Sequence, residues 1–485
     1  MHNHPQFRKK DAFAEAKAMV MKMENRRKKS TRVGFVSLGC PKNQVDTEIM
    51  LAELSAAGYE ITPEETEADI VVINTCAFIQ SAKEEAIDNI LDIAWLKKHA
   101  QLRGIVVTGC LAQRYQEEIF REMPEVDALL GVGSLHDIVD AVRQIDVKQA
   151  GKEVCRYSSF RRIEDMKQGG DRILTTPSYL AYMKISEGCD NRCTYCAIPL
   201  IRGGMRSRPI EALCAEAKEL EGLGVRELVL VAQDTTAYGT DLYGEPQLAR
   251  LIRALCDETS IPWIRVLYCY PEKITEELAK EWENNPRLLR YVDLPVQHLS
   301  DRVLRRMNRR GGAEAVERAV RRLRQIPGMV IRTTFLTGFP GESEEDFLEL
   351  CEGAKRLKFD RVGVFPYSRE EGTPAYDFEE QIEEQIKQNR CDILMREQEL
   401  RSEKAARKKI GEVVTVLCEG YDGAAETYYG RTYADAYEID GKVYFTNRLG
   451  NKRLQPGSFV KVKILENMAY DLVGELVSAE EKNND

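Results

Sequence analysis

The stretch SEGCDNRCTYC, residues 186–196, decides how the rest of the chain is interpreted. It places Cys189, Cys193 and Cys196 in the spacing CxxxCxxC within one loop. Three thiolates bind three irons of a cubane cluster and leave the fourth iron open, whereas a ferredoxin closes its cluster with four cysteines. A structural zinc site is the alternative, but it needs a fourth nearby Cys or His, and the loop contains none. The spacing therefore favours an iron–sulfur cluster with one reactive iron.

This cysteine loop resembles that of the radical S-adenosylmethionine (SAM) enzymes. In that superfamily the open iron binds the amino and carboxylate groups of SAM, and one electron from the cluster cleaves the sulfonium to a 5′-deoxyadenosyl radical. The resemblance implies that the three cysteines hold a 4Fe–4S cluster that is exchangeable with SAM. A non-catalytic iron–sulfur scaffold or electron carrier is the alternative from another class, and it would need no SAM pocket.

The chain around the loop, residues 178–407, alternates apolar strands with helices. Six strands are predicted, at 180–186, 227–232, 263–268, 291–294, 329–336 and 361–367. This alternation indicates a partial (β/α)6 barrel of parallel strands, an open relative of the eight-stranded form. Chemistry in such barrels lies at the C-terminal ends of the strands, and Cys189 follows the first of them.

A second pattern, repeated three times in residues 31–146, is an apolar strand, a cysteine and a helix. The predicted strands 32–38, 69–74 and 104–108 lead to Cys40, Cys76 and Cys110, and the predicted helices span 44–57, 81–97 and 113–123. An open parallel α/β domain brings the ends of such strands to one crevice. One such cysteine is readily explained as a small buried hydrophobe, but three equivalent ones predict a second three-cysteine cluster site.

The remaining segments complete the domain prediction. In residues 408–478, apolar and polar residues alternate between turns at Asp422-Gly423, Asp440-Gly441, Leu449-Gly450 and Pro456-Gly457. This pattern predicts a small antiparallel β-barrel of about five strands, preceded by a charged helix over 379–409. Residues 1–30 are predicted as a charged extension, 147–177 as a linker and 479–485 as a tail.

Composition limits the class of protein. The 485 residues, 43% of them hydrophobic, allow several packed domains and contain no apolar run long enough to span a bilayer. No signal peptide is recognisable, so we expect a cytoplasmic protein. Thirteen cysteines in such a chain indicate ligands and buried thiols rather than disulfides. The net charge of −9 argues against a surface that binds nucleic acid throughout.

Three motifs extend the resemblance over nearly the whole chain. They are GCPKN at 39–43, NTCAFI at 74–79 and AIPLIRGGMRSR at 197–208. Together with the order of the three units they resemble the methylthiotransferases, a radical SAM family whose C-terminal barrel is called a TRAM domain. Pro41-Lys42 resembles the branch of the family that modifies a ribosomal protein, because the tRNA-modifying branch more often has Gln-Met there.

The resemblance implies a reaction at the β-carbon of one aspartate in small-subunit ribosomal protein S-twelve. One SAM donates a methyl group to a sulfur held at an auxiliary 4Fe–4S cluster on Cys40, Cys76 and Cys110. A second SAM, at the cluster on Cys189, Cys193 and Cys196, supplies the radical that removes hydrogen from the aspartate. An unactivated C–H bond has no acidic proton, so the cofactors carry the chemistry and no acid–base residue is predicted.

The resemblance also implies a SAM pocket at the strand ends of the barrel. It assigns to that pocket Tyr195, Gln233, Asp234, Gln297 and Gly338. Chain turns and helix caps are the alternative explanation of these residues.

Several basic residues have two interpretations from sequence. Arg206 and Arg208 either bind a carboxylate of the substrate or SAM, or form surface ion pairs. The arginine run either contacts ribosomal RNA or forms a solvated helix face with Glu314 and Glu317; it comprises Arg302, Arg305, Arg306, Arg309, Arg310, Arg318, Arg321, Arg322 and Arg324. His298 beside it is either structural or catalytic.

The substrate has a runner-up, a tRNA adenosine. The terminal barrel favours a basic protein over tRNA, since acidic residues dominate its first half: Glu412, Glu419, Asp422, Glu426, Asp435, Glu438 and Asp440. The other expected partners are a low-potential electron donor such as flavodoxin or ferredoxin and a donor of sulfur. No membrane partner is expected.

Overall fold

The computed structural model describes residues 31–149, 156–448 and 453–479. The predicted N-terminal extension, the turn at Leu449-Gly450 and nearly all of the predicted tail lie outside these residues. Among the described helices, none is long and apolar enough to cross a membrane.

The first unit is a six-stranded parallel sheet in the order β2-β1-β3-β4-β5-β6. Its strands are β1 (Arg32–Ser37), β2 (Glu60–Thr62), β3 (Ile70–Thr75), β4 (Gly104–Gly109), β5 (Ala128–Leu130) and β6 (Tyr157–Ser159). Its helices are α1 (Pro41–Ala56), α2 (Gln80–His99), α3 (Cys110–Tyr115), α4 (Glu117–Glu122) and α5 (Ile138–Gln149). The central strands β3 and β4 are buried along their whole length, as expected for a parallel sheet covered on both faces.

Two predictions in this unit differ from the structure. The helix predicted over 113–123 is two short helices, α3 and α4, because the backbone breaks at Gln116, whose φ is 39°. The predicted linker contains β6, which pairs with β5 at the edge of the sheet. Strand β6 has only three residues and carries no apolar run, so its sequence gives no strand signal.

The second unit is the predicted partial barrel, a parallel sheet in the order β14-β13-β12-β11-β10-β7. These six strands are β7 (Leu180–Lys184), β10 (Glu227–Val231), β11 (Trp263–Val266), β12 (Leu288–Asp293), β13 (Val330–Thr337) and β14 (Arg361–Pro366). A separate hairpin consists of β8 (Ser186–Glu187) and β9 (Arg206–Ser207), and it joins the two ends of the cysteine loop.

The helices of this unit are α6 (Ile198–Arg202), α7 (Ile210–Gly222), α8 (Thr240–Tyr243), α9 (Leu248–Glu258), α10 (Glu276–Asn284), α11 (Asp301–Arg306), α12 (Gly312–Leu323), α13 (Glu344–Leu357) and α14 (Glu384–Arg407). Apart from the short helices α6 and α11, their apolar residues pack with one face of the strands. The opposite strand face joins the core of the first unit through residues such as Tyr182, Val229 and Tyr291. The two units therefore share a core that runs through the mouth of the partial barrel.

The third unit is a closed barrel of five strands, β15-β16-β17-β19-β18. The strands are β15 (Val413–Asp422), β16 (Thr427–Arg431), β17 (Val443–Thr446), β18 (Phe459–Asn467) and β19 (Leu472–Ala479). The predicted small barrel of about five strands is confirmed, and its pairs are antiparallel except that β17 pairs with β19 in parallel. This pair closes the barrel, and closure leaves no free strand edge.

A buried ion network holds the small barrel against the second unit. Arg431 donates to Glu227 at 2.7 Å and to Glu419 at 2.6 Å, and Arg265 donates to Glu227 at 2.6 Å. All four side chains are at most 2% exposed. Removing one partner of such a network typically costs about 3–5 kcal/mol, because a charge is left buried without compensation.

Candidate functional site

The first cysteine triad lies at one edge of the first sheet. Cys40, Cys76 and Cys110 follow β1, β3 and β4, which are neighbours in the sheet, so their thiols share one crevice. Gly39 permits this close approach: its φ is +91°, and a Cβ there would lie 2.8 Å from Cβ of Cys76. The structure therefore brings the three predicted ligands together.

Asn43 ties the loops of this triad to one another. Its side-chain amide donates to the carbonyl of Leu38 at 3.0 Å and to that of Thr75 at 2.8 Å. Asn74 in turn donates to the carbonyl of Asn43 at 2.8 Å. These buried hydrogen bonds fix the spacing between the loops that carry Cys40 and Cys76.

The electrostatics of the first triad suit a cationic cluster. Burial and the neighbouring thiols of Cys110 and Cys40 raise the pKa of Cys76 to about 12. Burial acts on Cys40 in the same sense, but Lys42, Arg202 and two backbone N–H groups outweigh it and hold the pKa of Cys40 below its usual value. A bound metal centre deprotonates thiols that otherwise oppose each other's ionisation, so this donor set fits an iron–sulfur cluster.

The second triad occupies the loop between β8 and β9. Within it, the Cys189 amide donates to the Gly203 carbonyl at 3.1 Å and the Cys196 amide to the Cys193 carbonyl at 3.0 Å. Gly188 is required at the start of the loop, because a Cβ there would lie 2.0 Å from the Gly204 carbonyl oxygen. Burial raises the pKa of Cys189 to about 11.

Tyr270 and Arg309 contact this triad, and sequence reasoning missed Tyr270 altogether. The Tyr270 hydroxyl lies 3.7 Å from Cys193 Sγ, and an Arg309 Nη1 proton is directed at the same sulfur over 3.9 Å. The Arg309 guanidinium also lies 4.1 Å from the Tyr270 ring centroid. Arg309 was assigned only to a general basic run, and no local spacing in the sequence connects either residue to Cys193.

No group of three or more His, Cys, Asp or Glu side chains in the described ranges is placed to hold a single metal ion. A cubane cluster makes a different demand, because each cysteine ligates its own iron. Both triads are compatible with that arrangement.

A buried charge network connects the two triads. Arg202, in the barrel, donates to Glu187 at 2.9 Å, to Asp46 of the first unit at 3.2 Å and to Cys110 Sγ at 3.7 Å. Lys184 forms ion pairs with the same two carboxylates. The two cations and two anions compensate one another, so the network tolerates burial.

The residues predicted for the SAM pocket have different surroundings. Asp234 accepts from Asn191 at 2.7 Å and Lys273 at 2.5 Å, and the Asn191 amide also donates to Cys189 Sγ at 3.4 Å. Gln233 donates to Glu187 at 2.9 Å. These two residues therefore lie beside the second triad.

The other three predicted pocket residues lie on neighbouring elements. Tyr195 packs in a small apolar cluster that includes Phe339. Gln297 has a φ of +71° and forms an isolated bridge with Phe335. Gly338 is buried against Lys387, since a Cβ there would lie 2.2 Å from Lys387 Cγ. Close packing against protein thus explains the glycine by itself.

The basic residues with two interpretations mostly form internal contacts. Arg208 pairs with Glu216 at 2.6 Å, and both are largely buried. Much of the arginine run binds protein groups: Arg302 pairs with Asp346, Arg306 with Glu380, Arg318 with Glu314 and Arg324 with Asp360, while Arg322 donates to the Ile274 carbonyl. Glu317 pairs with Arg356 on a different helix.

His298 belongs to the interior of the barrel. It is fully buried, and its Nδ1 accepts from the Ser300 amide at 2.9 Å. Burial lowers the pKa of His298 to about 3, so the ring is neutral at physiological pH. These observations favour the structural interpretation.

The fold and the two triads define a class of protein. A three-cysteine α/β unit, a partial barrel with a CxxxCxxC loop and a closed five-stranded barrel are the parts of a radical SAM methylthiotransferase. Family models match each part: "Uncharacterized protein family UPF0004" over residues 32–131, "Radical SAM superfamily" over 183–354 and "TRAM domain" over 410–477.

Similar curated proteins identify the family within this class. Proteins named "Ribosomal protein uS12 methylthiotransferase RimO" from Pelotomaculum thermopropionicum and Acetivibrio thermocellus are 49% and 46% identical to this chain. The matches cover 92% and 93% of this chain and 99% of each relative. The chain therefore belongs to the RimO family of methylthiotransferases.

A solved structure supports the fold at a greater distance. The radical SAM methyltransferase TsrM from Kitasatospora setae matches with a TM-score of 0.53 at 15% identity, over 71% of this chain and 77% of that one. Identity this low shows the fold alone.

Proposed function

We propose that this protein methylthiolates the β-carbon of an aspartate in ribosomal protein uS12, the S-twelve protein of the small subunit. One SAM serves as methyl donor and a second as source of the 5′-deoxyadenosyl radical. The observation that carries the proposal is the pair of three-cysteine sites, with Arg202 bridging from Cys110 of the first to Glu187 at the start of the loop that carries the second. The names of the relatives, uS12 methylthiotransferases, support the substrate.

The residues of the chain would hold two 4Fe–4S clusters and SAM. Cys40, Cys76 and Cys110 would hold the auxiliary cluster, and the second triad would hold the cluster that binds SAM. When bound, these cofactors supply radical cleavage of SAM and sulfur transfer, chemistry that no side chain performs at an unactivated carbon. Tyr195, Gln233, Asp234, Gln297 and Gly338 belong to the proposed SAM pocket.

The protein's own contribution is orientation and exclusion of water. The hydrogen bonds of Asn43 hold the first set of cysteine loops, and the hairpin of β8 and β9 holds the second. The charge network around Arg202 sets one unit against the other. A fixed separation of reacting groups lowers the entropic part of the barrier, and a dry site protects a radical from side reactions.

Modification of tRNA adenosine, as in MiaB-type enzymes, is not favoured by the relatives. The argument from the charge of the small barrel is weaker than its sequence suggests. Glu419 is buried in an ion pair with Arg431 of the same small barrel. Asp435 is paired with Arg361, and Asp440 is hydrogen-bonded to Tyr291, both of the second unit. Only Glu412, Asp422, Glu426 and Glu438 of the seven acidic residues are exposed.

The remaining partners also belong to the proposal. A flavodoxin or ferredoxin would reduce the SAM-binding cluster, whose potential must be low, and a separate donor would replace the transferred sulfur. We place the protein in the cytoplasm, where the small ribosomal subunit is found.

The test is intact mass spectrometry of uS12 after anaerobic incubation with reconstituted enzyme, SAM and a reductant. A gain of one methylthio group on a single aspartate is expected, and a Cys193→Ala variant should give none. A tRNA sample serves as the competing substrate. Modification of tRNA adenosine with unchanged uS12 would contradict the proposed substrate.

A further inference from the structure

Lys42 is a buried lysine that has no carboxylate ion pair within the described residues. Four lysines are buried among the described residues, and three of them pair with carboxylates: Lys83 with Glu370, Lys184 with Asp46 and Glu187, and Lys387 with Glu384. The Lys42 side chain is only 8% exposed, and within the described part of the chain its ammonium forms no ion pair or hydrogen bond. A lysine is rarely buried unless an opposite charge or hydrogen bonds compensate its ammonium, so we expect a partner to bind at this position.

Among the described residues, the ammonium lies against an aromatic ring. Lys42 Nζ lies 3.7 Å from the centroid of the Tyr268 ring, within the range of a cation–π interaction. Tyr268 has a φ of +63°, which is costly for a bulky residue and persists only where the surroundings impose it. Its amide donates to Asp293 and its carbonyl accepts from Thr235, so the ring is held in place beneath the ammonium.

The ammonium lies between the two cysteine triads. Lys42 is two residues from Cys40, and Tyr268 is two residues from Tyr270, whose hydroxyl lies 3.7 Å from Cys193 Sγ. The contact with Tyr268 and the electrostatic interaction with Cys40 thus put the ammonium beside both proposed cluster sites, in the region that a substrate must enter.

The carboxylate of Glu187 is already bound by other residues. Glu187 interacts electrostatically with Lys42, but its oxygens accept hydrogen bonds from Lys184, Arg202 and Gln233. Arg208 is paired with Glu216, which removes it as a candidate for binding a carboxylate of the substrate. Within the described residues, Lys42 thus presents an ammonium that no carboxylate occupies.

We propose that the Lys42 ammonium binds the side-chain carboxylate of the target aspartate. An ammonium on a stem packed against Tyr268 presents its three donors in a desolvated site, where a charged hydrogen bond is strong. Holding the carboxylate orients the adjacent β-carbon, which is the reacting atom. Lys42 would then be a positioning and specificity residue. This inference rests on the proposed function.

The test is the affinity of anaerobically reconstituted enzyme for uS12 and for uS12 with its target aspartate replaced by asparagine. Lys42→Met keeps the length of the side chain and removes the charge. We expect it to weaken binding of uS12 at least about tenfold, as for a lost charged hydrogen bond, and to leave binding of the asparagine form within about twofold. Lys42→Arg keeps the charge and should retain the preference for aspartate. The exposed Lys218→Met variant is the control.

Three outcomes would overturn the inference. If Lys42→Met weakened the binding of both uS12 forms equally, Lys42 would instead stabilise the enzyme itself or its auxiliary cluster. Reduced SAM binding by Lys42→Met in the absence of uS12 would assign it to the carboxylate of SAM. Loss of the preference for aspartate in Lys42→Arg would exclude charge as the cause. If wild-type enzyme neither binds nor modifies uS12, the proposed function itself fails, which is a separate result.

Discussion

The guanidinium of Arg202 and the thiol of Cys110 meet across the boundary of two units, with Nη2 3.7 Å from Sγ. Arg202 lies at the end of α6 in the barrel, and Cys110 begins α3 in the first unit. The same Nη2 donates to Asn43 Oδ1 at 2.6 Å, and Asn43 fastens the loops of the first triad. One side chain thereby connects the geometry of the auxiliary site to the barrel.

Replacement of Arg202 by methionine should destabilise the protein strongly. Glu187 and Asp46 would share a single cation, Lys184, and one buried negative charge would remain uncompensated. We expect a loss of about 3–5 kcal/mol in the free energy of unfolding, measured by denaturant titration of the cluster-free protein. Arg253→Met, which removes exposed ion pairs, should cost less than about 1 kcal/mol. Equal losses for the two variants would contradict the role assigned to the network.

Gly39→Ala should remove the auxiliary cluster and spare the other one. The added Cβ would lie 2.8 Å from Cβ of Cys76 and 3.2 Å from its sulfur. The iron content after reconstitution should fall from about eight to about four per chain. Gly58→Ala is a matched control, because its φ of +92° carries the same backbone strain with no atom within 4 Å. Full iron content in Gly39→Ala would show that the loop can adjust.

Tyr270→Phe should lower the reduction potential of the cluster on the second triad. The hydroxyl lies 3.7 Å from Cys193 Sγ, and a hydrogen bond to a ligating sulfur stabilises the reduced cluster. If the reduced cluster loses about 1 kcal/mol of stabilisation, its one-electron reduction potential becomes more negative by about 40 mV. A redox titration followed by electron paramagnetic resonance measures this shift. Tyr421→Phe, in the small barrel, should not change the potential, and a positive shift in Tyr270→Phe would refute the assignment.

Glu370 should make stability depend on pH in the acidic range. Its carboxylate accepts hydrogen bonds from Lys83 at 3.0 Å and from Arg114 at 2.6 Å. These bonds connect the loop after β14 to the first unit. Burial opposes ionisation, but the hydrogen bonds from Ser368, Arg114 and Lys83 outweigh it and lower the pKa of Glu370.

The depressed pKa gives the direction of the effect. The stabilisation is complete above the pKa of an unfolded glutamate, about 4.3, and is lost as the pH falls through the lower folded value. The difference in melting temperature between wild type and Glu370→Gln should therefore be largest near neutral pH and shrink below about pH 4. A difference that grows with acidification would contradict this account. The exposed Glu426→Gln variant should match wild type at each pH.

Much of the fold could be predicted from local patterns. The predicted barrel strands lie within a few residues of the observed ones, since buried parallel strands are continuous apolar runs bounded by polar turns. Strand β6 could not be predicted because its three residues, Tyr-Ser-Ser, contain no apolar run. The parallel seam of β17 and β19 was missed because strand direction at closure depends on the whole barrel.

In the candidate site, the cysteines could be predicted from the sequence but their neighbours could not. Cysteine spacing identified all six proposed ligands, because three of them lie in one loop and three follow equivalent strands. Tyr270 and the specific role of Arg309 were not predictable, since they reach Cys193 from positions 77 and 116 residues away. The acidic residues of the small barrel misled the charge argument, because sequence does not tell a buried ion pair from an exposed charge.

The sequence by itself determined the two cysteine triads, the order of the three units and the family, because spacing within loops and periodicity within strands are local properties. The tertiary structure alone decided which charges compensate one another. Arg202 contacts Asp46 and Cys110, whereas the ammonium of Lys42 lies over the Tyr268 ring and has no carboxylate partner in the part of the chain that the structure describes. Those pairings join residues far apart in the chain, and burial makes each of them energetically important, since a charge removed from water requires a partner.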